Sequence, residues 1–177
     1  MTGASSSGLA AGACPLCGEV REGRFCEQCG YDFDAPRPAA RAPSGPPAWV
    51  AVVTADRGYF ETGGESSRSF TFPASCPQRR VALTGRRVRI GRRSTSRAFT
   101  PEIDLSCPPE DPGVSHEHAQ LLAQPDGSWA LVDRGSTNGT YLNGSPDPVP
   151  SNLLVPLAAD DRIHVGVWTT ITVRPSP

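Results

Sequence analysis

Lysine is absent: all seventeen basic residues of this 177-residue chain are Arg, and they stand against eighteen Asp and Glu for a formal charge of −1. A glycine-rich phosphate loop that closes on a Lys is thereby excluded. Long apolar runs are missing too; none approaches the roughly 20 residues of a membrane-spanning helix. The stretch "LAAGAC", Leu9 to Cys14, has the small residues of a lipoprotein cleavage site, but residues 1–8 hold no Lys or Arg and no apolar stretch precedes it. A cytoplasmic protein is expected, with no membrane partner. No Cys–His or Ser–His–Asp set has a supporting context, so no enzyme is expected.

Apolar residues make up only 37% of the chain, while 18 Gly and 19 Pro bring it near disorder-prone composition. Long unfolded stretches beside one ordinary domain are therefore expected. The near-zero charge hides a segregation: Arg79 to Arg97 holds eight Arg and no acid, whereas ten acids face three Arg beyond Arg97. The basic stretch lacks interleaved aromatics and its domain is near neutral, which argues against nucleic-acid binding and for a solvated strand edge. The all-Arg, Ala- and Pro-rich composition suits a GC-rich bacterial genome.

Four organisational segments follow. Residues 1–13 are mostly Gly, Ala and Ser, and a disordered start is expected. Residues 14–31 hold four of the six cysteines. Residues 32–47 contain "DAPRPAARAPSGPP", a Pro/Ala-rich linker unable to bury a core. It predicts that the parts on either side fold independently. From residue 48 to 177 the texture is of short β-branched and aromatic segments broken every eight to twelve residues by Gly, Pro, Asp or Asn. The segments are "WVAVVTADRGYF", "RRVALTG", "RRVRIGR", "PEIDLS", "HAQLLAQ", "SWALVDR", "TYLNG", "DRIHVG" and "VWTTITVRP". None keeps a helical apolar period over three turns. An all-β sandwich of two antiparallel sheets is predicted.

The cysteine-rich segment reads "CPLCGEVREGRFCEQCG", with Cys14-x-x-Cys17 and Cys26-x-x-Cys29 each followed by Gly. Each turn presents two sulfurs, and four thiolates form the tetrahedron that Zn²⁺ takes, with Zn–S of about 2.3 Å. Two disulfides or a redox pair are the alternatives. A segment with almost no apolar core needs a staple, and in a reducing compartment metal is favoured over disulfide. One structural Zn²⁺ on Cys14, Cys17, Cys26 and Cys29 is expected, with no position open for a catalytic water. The string "CPLCG…FCEQCG" resembles small zinc-ribbon modules. Cys76 and Cys107 are expected far apart, as small buried or half-buried hydrophobes.

Three further motifs stand in order along the β region: Gly91-Arg92 in "RIGRR", Ser115 and His118 in "GVSHEHA", and Ser136-Thr137-Asn138-Gly139-Thr140 in "DRGSTNGTYLNG". Each alone is weak. Together, with the late "VPLAADDRIHVG", they resemble the forkhead-associated (FHA) domain, whose pattern runs G-R, S-x-x-H, S-x-N-G-T. The resemblance implies a β-sandwich with phosphothreonine-binding loops at one end. A phosphothreonine carries roughly −1.5 to −2 charge and three acceptor oxygens. Arg92 offers a forked guanidinium, Ser115 and Thr137 hydroxyls, and Asn138 an amide for the peptide backbone.

Under that resemblance Gly91, His118 and Gly139 have structural roles. His116 stands where many members place Arg or Asn, and it is included among the binding residues. His116-x-His118 suggests no metal, since no third ligand lies nearby. Asn143-Gly144 is expected to be an ordinary hairpin turn. The interval from Arg92 to Ser115 is longer than the family's norm. The chain as a whole is expected to be a monomeric, non-enzymatic adaptor for phosphothreonine-containing proteins of a Ser/Thr kinase pathway, the kinase included. The alternative is a nucleic-acid-associated protein contacting through its ribbon. Against it, Arg21 and Arg24 are outnumbered there by Glu19, Glu22 and Glu27.

Overall fold

The computed structural model describes residues 14, 20, 23–28, 31–34, 49–63, 67 and 69–176. The disordered start expected over residues 1–13, most of the linker, and Cys17 and Cys29 lie outside them. Among the described residues the β region forms ten strands and the short helix α1. These are β1 (Trp49–Ala55), α1 (Arg57–Thr62), β2 (Arg79–Ala82), β3 (Arg87–Gly91), β4 (Ile103–Asp104), β5 (Ala119–Ala123), β6 (Trp129–Asp133), β7 (Thr140–Leu142), β8 (Val155–Leu157), β9 (Arg162–Val165) and β10 (Thr169–Pro175). They pair into two five-stranded sheets, ordered β2-β1-β10-β9-β7 and β4-β3-β5-β6-β8. Every ladder is antiparallel except the two-residue β4, which runs parallel to β3 through Ile90↔Ile103 and Gly91↔Asp104.

Period-two alternation makes this a sandwich. Val88 and Ile90 of β3, Leu121 of β5, Leu131 of β6, Ile163 and Val165 of β9, and Ile171 and Val173 of β10 are all buried in one core. Successive strand residues point to opposite faces, so each sheet supplies every second side chain to that core. All nine predicted segments contain a strand. The first one also contains a helix, because Asp56 stops β1 and caps the next turn by accepting from the Tyr59 amide at 3.1 Å. β8 lies in the late segment that the FHA resemblance had singled out.

Asn143 and Gly144 have φ of 54° and 75°, and the Ser145 amide donates to the Leu142 carbonyl at 3.0 Å. Positive φ at both central positions is the geometry that Asn-Gly supplies. The turn is thus as expected, but β7 finds its ladder partner in β9.

Two expectations are corrected. Cys76 and Cys107 are not far apart: both line one cavity of ≈ 90 Å³ together with Pro77, Leu105 and Trp168, and Cys107 is exposed. The Arg-rich stretch is an edge only at Arg79 and Arg80 on β2; Arg87 and Arg89 lie on β3, flanked by β4 and β5. Several of its guanidiniums turn to the downstream segment, to carboxylates or to a backbone carbonyl. Arg89 meets Glu102 at 2.7 Å, Arg93 meets Asp104 at 2.9 Å, and the Arg79 guanidinium donates to the Asp104 carbonyl at 2.9 Å.

The described residues of the cysteine-rich segment pack on the sandwich, where the linker had suggested few contacts. Leu122 and Val132 point away from the main core, on the outer face of the second sheet, yet both are fully buried. Cys14, Cys26, Tyr31, Phe33 and Leu154 cover them, and the Arg134 guanidinium donates to the Gln28 carbonyl at 2.8 Å. An apolar outer face needs such a cover in water. No helix among the described residues is long and apolar enough to cross a membrane.

Removing residues 1–47 should therefore destabilise the sandwich by about 1–3 kcal/mol, the scale of re-exposing one or two aliphatic side chains. Urea unfolding of the full chain against residues 48–177 measures this; coincident midpoints would show that the cover contributes nothing.

Candidate functional site

The strand ends β3 and β6 and the strand starts β5 and β7 meet at one end of the sandwich, and the loops between them carry the three motifs. β3 terminates at Gly91, whose position is set by close backbone approach. A Cβ there would overlap the His116 carbonyl oxygen, so only Gly fits. The Arg92 amide then donates to the Ser115 carbonyl at 3.3 Å and the His116 carbonyl at 3.1 Å, and the His116 ring holds the Arg92 carbonyl through Nδ1 at 3.3 Å. Arg92, Ser115 and His116 are thus joined by main-chain bonds rather than by side-chain packing.

His118 braces the next pair of loops, as its assignment to structure anticipated. Its ring is fully buried, with Nδ1 accepting from the Ser115 amide at 3.0 Å and Nε2 facing the Gly139 carbonyl at 3.2 Å. An acceptor Nδ1 leaves the proton on Nε2, which donates to Gly139. Burial lowers the imidazole pKa, more than the Gly139 carbonyl and the nearby Asp133 and Asp111 raise it, so the ring is neutral. Both nitrogens are thus occupied by the protein's own hydrogen bonds.

Ser115 and Thr137 come together across this brace. The Thr137 amide donates to Ser115 Oγ at 3.2 Å, and the two hydroxyls lie 3.4 Å apart. Asn138 is exposed, and its side-chain amide nitrogen donates to the Gly113 carbonyl at 2.8 Å. All five predicted contact residues, Arg92, Ser115, His116, Thr137 and Asn138, therefore lie on adjoining loops. These loops carry a cation and two hydroxyls, donors of the kind a tetrahedral anion takes.

Sequence reasoning missed the acids that hold these loops. Asp133, only 1% exposed, organises the turn that follows it. Its carboxylate accepts from the amides of Gly135 at 2.7 Å and Ser136 at 2.9 Å, and from the hydroxyls of Ser136 at 2.6 Å and Thr140 at 2.5 Å. Burial works to raise its pKa, but the bonds from Ser136, Thr140 and Gly135 outweigh it and hold the carboxyl below its ordinary range. An Asp two residues before a Gly is an Asx-turn signal, and it could have been read.

Asp111, also 1% exposed, accepts from the amides of Gly113, Val167, Trp168 and Thr169 and from the Thr169 hydroxyl, over 2.8–3.1 Å. Its partners beyond Gly113 lie more than fifty residues away, so no local pattern revealed it. The neighbouring Glu110 pairs with the Arg92 guanidinium.

At the other end of the chain, Cys14 and Cys26 are each 3% exposed and share one cluster. Among the described residues no group of three or more His, Cys, Asp or Glu could hold a metal.

Residues 88–166 match the family model described as FHA domain. Over 90 residues the chain is 35% identical to an oxoglutarate dehydrogenase inhibitor of Corynebacterium diphtheriae, covering 51% of this chain and 57% of that protein. Over 87 residues it is 32% identical to the glycogen accumulation regulator GarA of Mycolicibacterium smegmatis, covering 49% of this chain and 50% of that one. The chain thus spans about half the length of these curated relatives. Among solved structures, full-length yeast Pml1p superposes with a TM-score of 0.50 at 12% identity, covering 72% of this chain and 81% of that one, a likeness of fold alone.

Asp133→Asn should cost about 2 kcal/mol at pH 7, the scale of a lost hydrogen bond to a charged group. It should also flatten the acid limb of stability. A carboxyl held below its unfolded value of about 3.9 contributes fully above that pH, and the contribution is lost as pH falls through the folded value. Denaturant titrations between pH 5 and pH 2 on both proteins check this; equal losses in wild type and variant would refute it.

Proposed function

We propose that this chain, through the sandwich whose residues 88–166 match the FHA domain model, is a non-enzymatic adaptor that binds phosphothreonine on proteins of a Ser/Thr kinase pathway. The observation that carries this is the meeting of Arg92, Ser115 and Thr137 on three loops with the guanidinium incompletely satisfied. Nε of Arg92 is buried and has no hydrogen-bond partner within the protein. A phosphate brings enough acceptors to take the exposed part of that guanidinium and the two hydroxyls together. The two bacterial relatives are named for inhibition and regulation, which suits an adaptor that acts by binding. The protein works in the cytoplasm as a monomer.

A phosphothreonine peptide should bind, and its unphosphorylated form should not. Charge-assisted hydrogen bonds are each worth about 1.5–3 kcal/mol, so Arg92→Ala should lower affinity on the order of tenfold to a hundredfold. Arg93→Ala should cost much less, because that side chain is turned to Asp104. The measurement is a degenerate phosphothreonine library screened against the full chain, followed by calorimetric titration of matched peptides. Equal affinity for phosphorylated and unphosphorylated peptides would end the reading.

The cysteine-rich segment is a zinc ribbon in this reading, with one structural Zn²⁺ on Cys14, Cys17, Cys26 and Cys29. Supporting it, the first cysteine of each knuckle is buried in a common cluster, as thiolates sharing an ion would be. The ion would supply folding energy and no chemistry. Elemental analysis of protein purified under reducing conditions should give about one zinc per chain, and none if the reading is wrong.

A further inference from the structure

The guanidinium offered to the phosphate already has an occupant. Nη1 of Arg92 donates to Oε1 of Glu110, and among the described residues this is the one side-chain hydrogen bond that Arg92 makes. The pair is monodentate, since Nε remains without a partner in the protein. It is also accessible: the two side chains are 26% and 48% exposed. A pair in this position is exchangeable, unlike a buried bridge whose disruption strands a charge.

Glu110 is nevertheless held in place. The adjacent Asp111 is fixed by four amides and a hydroxyl, three of those amides from the turn between β9 and β10. That turn closes on it so tightly that a Cβ on Gly166, at φ +64°, would overlap the Asp111 carboxylate. The backbone of Arg92 is fixed equally well, by Ser115 and His116. One residue on a short tether and one on a rigid strand end therefore face each other across the site.

The geometry points to Glu110 as an internal competitor for the phosphate seat, one that decides which anions the site accepts. This inference rests on the phosphothreonine reading above. A group tethered this closely acts at an effective concentration on the order of millimolar or more. An incoming carboxylate, such as aspartate in place of phosphothreonine, exchanges one carboxylate for another and gains nothing at Arg92. A phosphate dianion replaces a single acceptor with three, takes Nη1, and reaches the Ser115 and Thr137 hydroxyls. Glu110 thus lowers the affinity for every anion, and it removes the weak ones from the binding range altogether. Specificity here comes from a built-in rival as much as from attraction.

The test titrates the best phosphothreonine peptide from the library, and the same peptide with aspartate at that position, into wild type, Glu110→Gln and Glu117→Gln. Glu117 is an exposed carboxylate just after His116 that makes no bond to Arg92, so its variant controls for a general change in charge. Glu110→Gln should bind the phosphopeptide about threefold to tenfold more tightly and should bind the aspartate peptide measurably. Glu117→Gln should match wild type. Unchanged or weaker binding by Glu110→Gln, or an equal gain in Glu117→Gln, would overturn the competitor role while leaving the phosphothreonine reading intact. If wild type and Glu110→Gln both fail to bind any phosphothreonine peptide, the functional reading falls and this one with it.

Discussion

A neutral imidazole with no access to water joins loops that belong to different sheets. His118 opens β5 of the second sheet, and its ring reaches from the Ser115 amide to the carbonyl of Gly139, which precedes β7 of the first. Sandwich packing places the two sheets face to face, but it does not set the spacing of loops beyond their ends. That spacing falls to a few buried polar groups, and each must be fully satisfied because an unmet one costs as much as several good contacts gain. His118, Asp133 and Asp111 meet this condition. The hydroxyls and guanidinium above them inherit their positions from a frame that is itself out of reach of ligand.

The fold was legible because apolar alternation is a local property. Leu121, Leu131, Ile163 and Ile171 announce their faces within a few residues, and turn residues mark where each strand must stop. That the three motifs would meet was legible through the FHA resemblance, which joined what spacing alone could not connect. What stayed hidden is long-range. Asp111 has its partners at Val167, Trp168 and Thr169, and Leu122 has its cover at Tyr31 and Phe33. A Pro/Ala linker reads as separation, and nothing local reveals that the segment before it returns to cover a sheet. Helix α1 was missed for the opposite reason: Tyr59 and Phe60 are strand-forming types, and a single Asp cap outweighed them.

The segregation of charge along the sequence also resolves in space. Eight Arg without an acid, followed by ten acids with three Arg, looks like a basic patch beside an acidic one. The parallel β4 returns the first of those acids to β3, where Glu102 meets Arg89 and Asp104 meets Arg93. Pairing across strands neutralises part of the Arg run on β3 and its exit. Arg92, next to Arg93, has Glu110 as its partner.

Gly91 has one more consequence. Because it permits direct contact between the end of β3 and the Ser115 loop, the excursion from Arg93 to Val114 is closed at its neck by main-chain bonds. It behaves like the handle of a cup, whose size is independent of the rim it is fixed to. Closure entropy grows only with the logarithm of loop length, so residues can be gained or lost at small cost in its exposed parts, outside β4 and the anchored Asp111. Exposed residues beside the proposed seat, Glu110 included, can therefore change without loosening the neck that Gly91 closes.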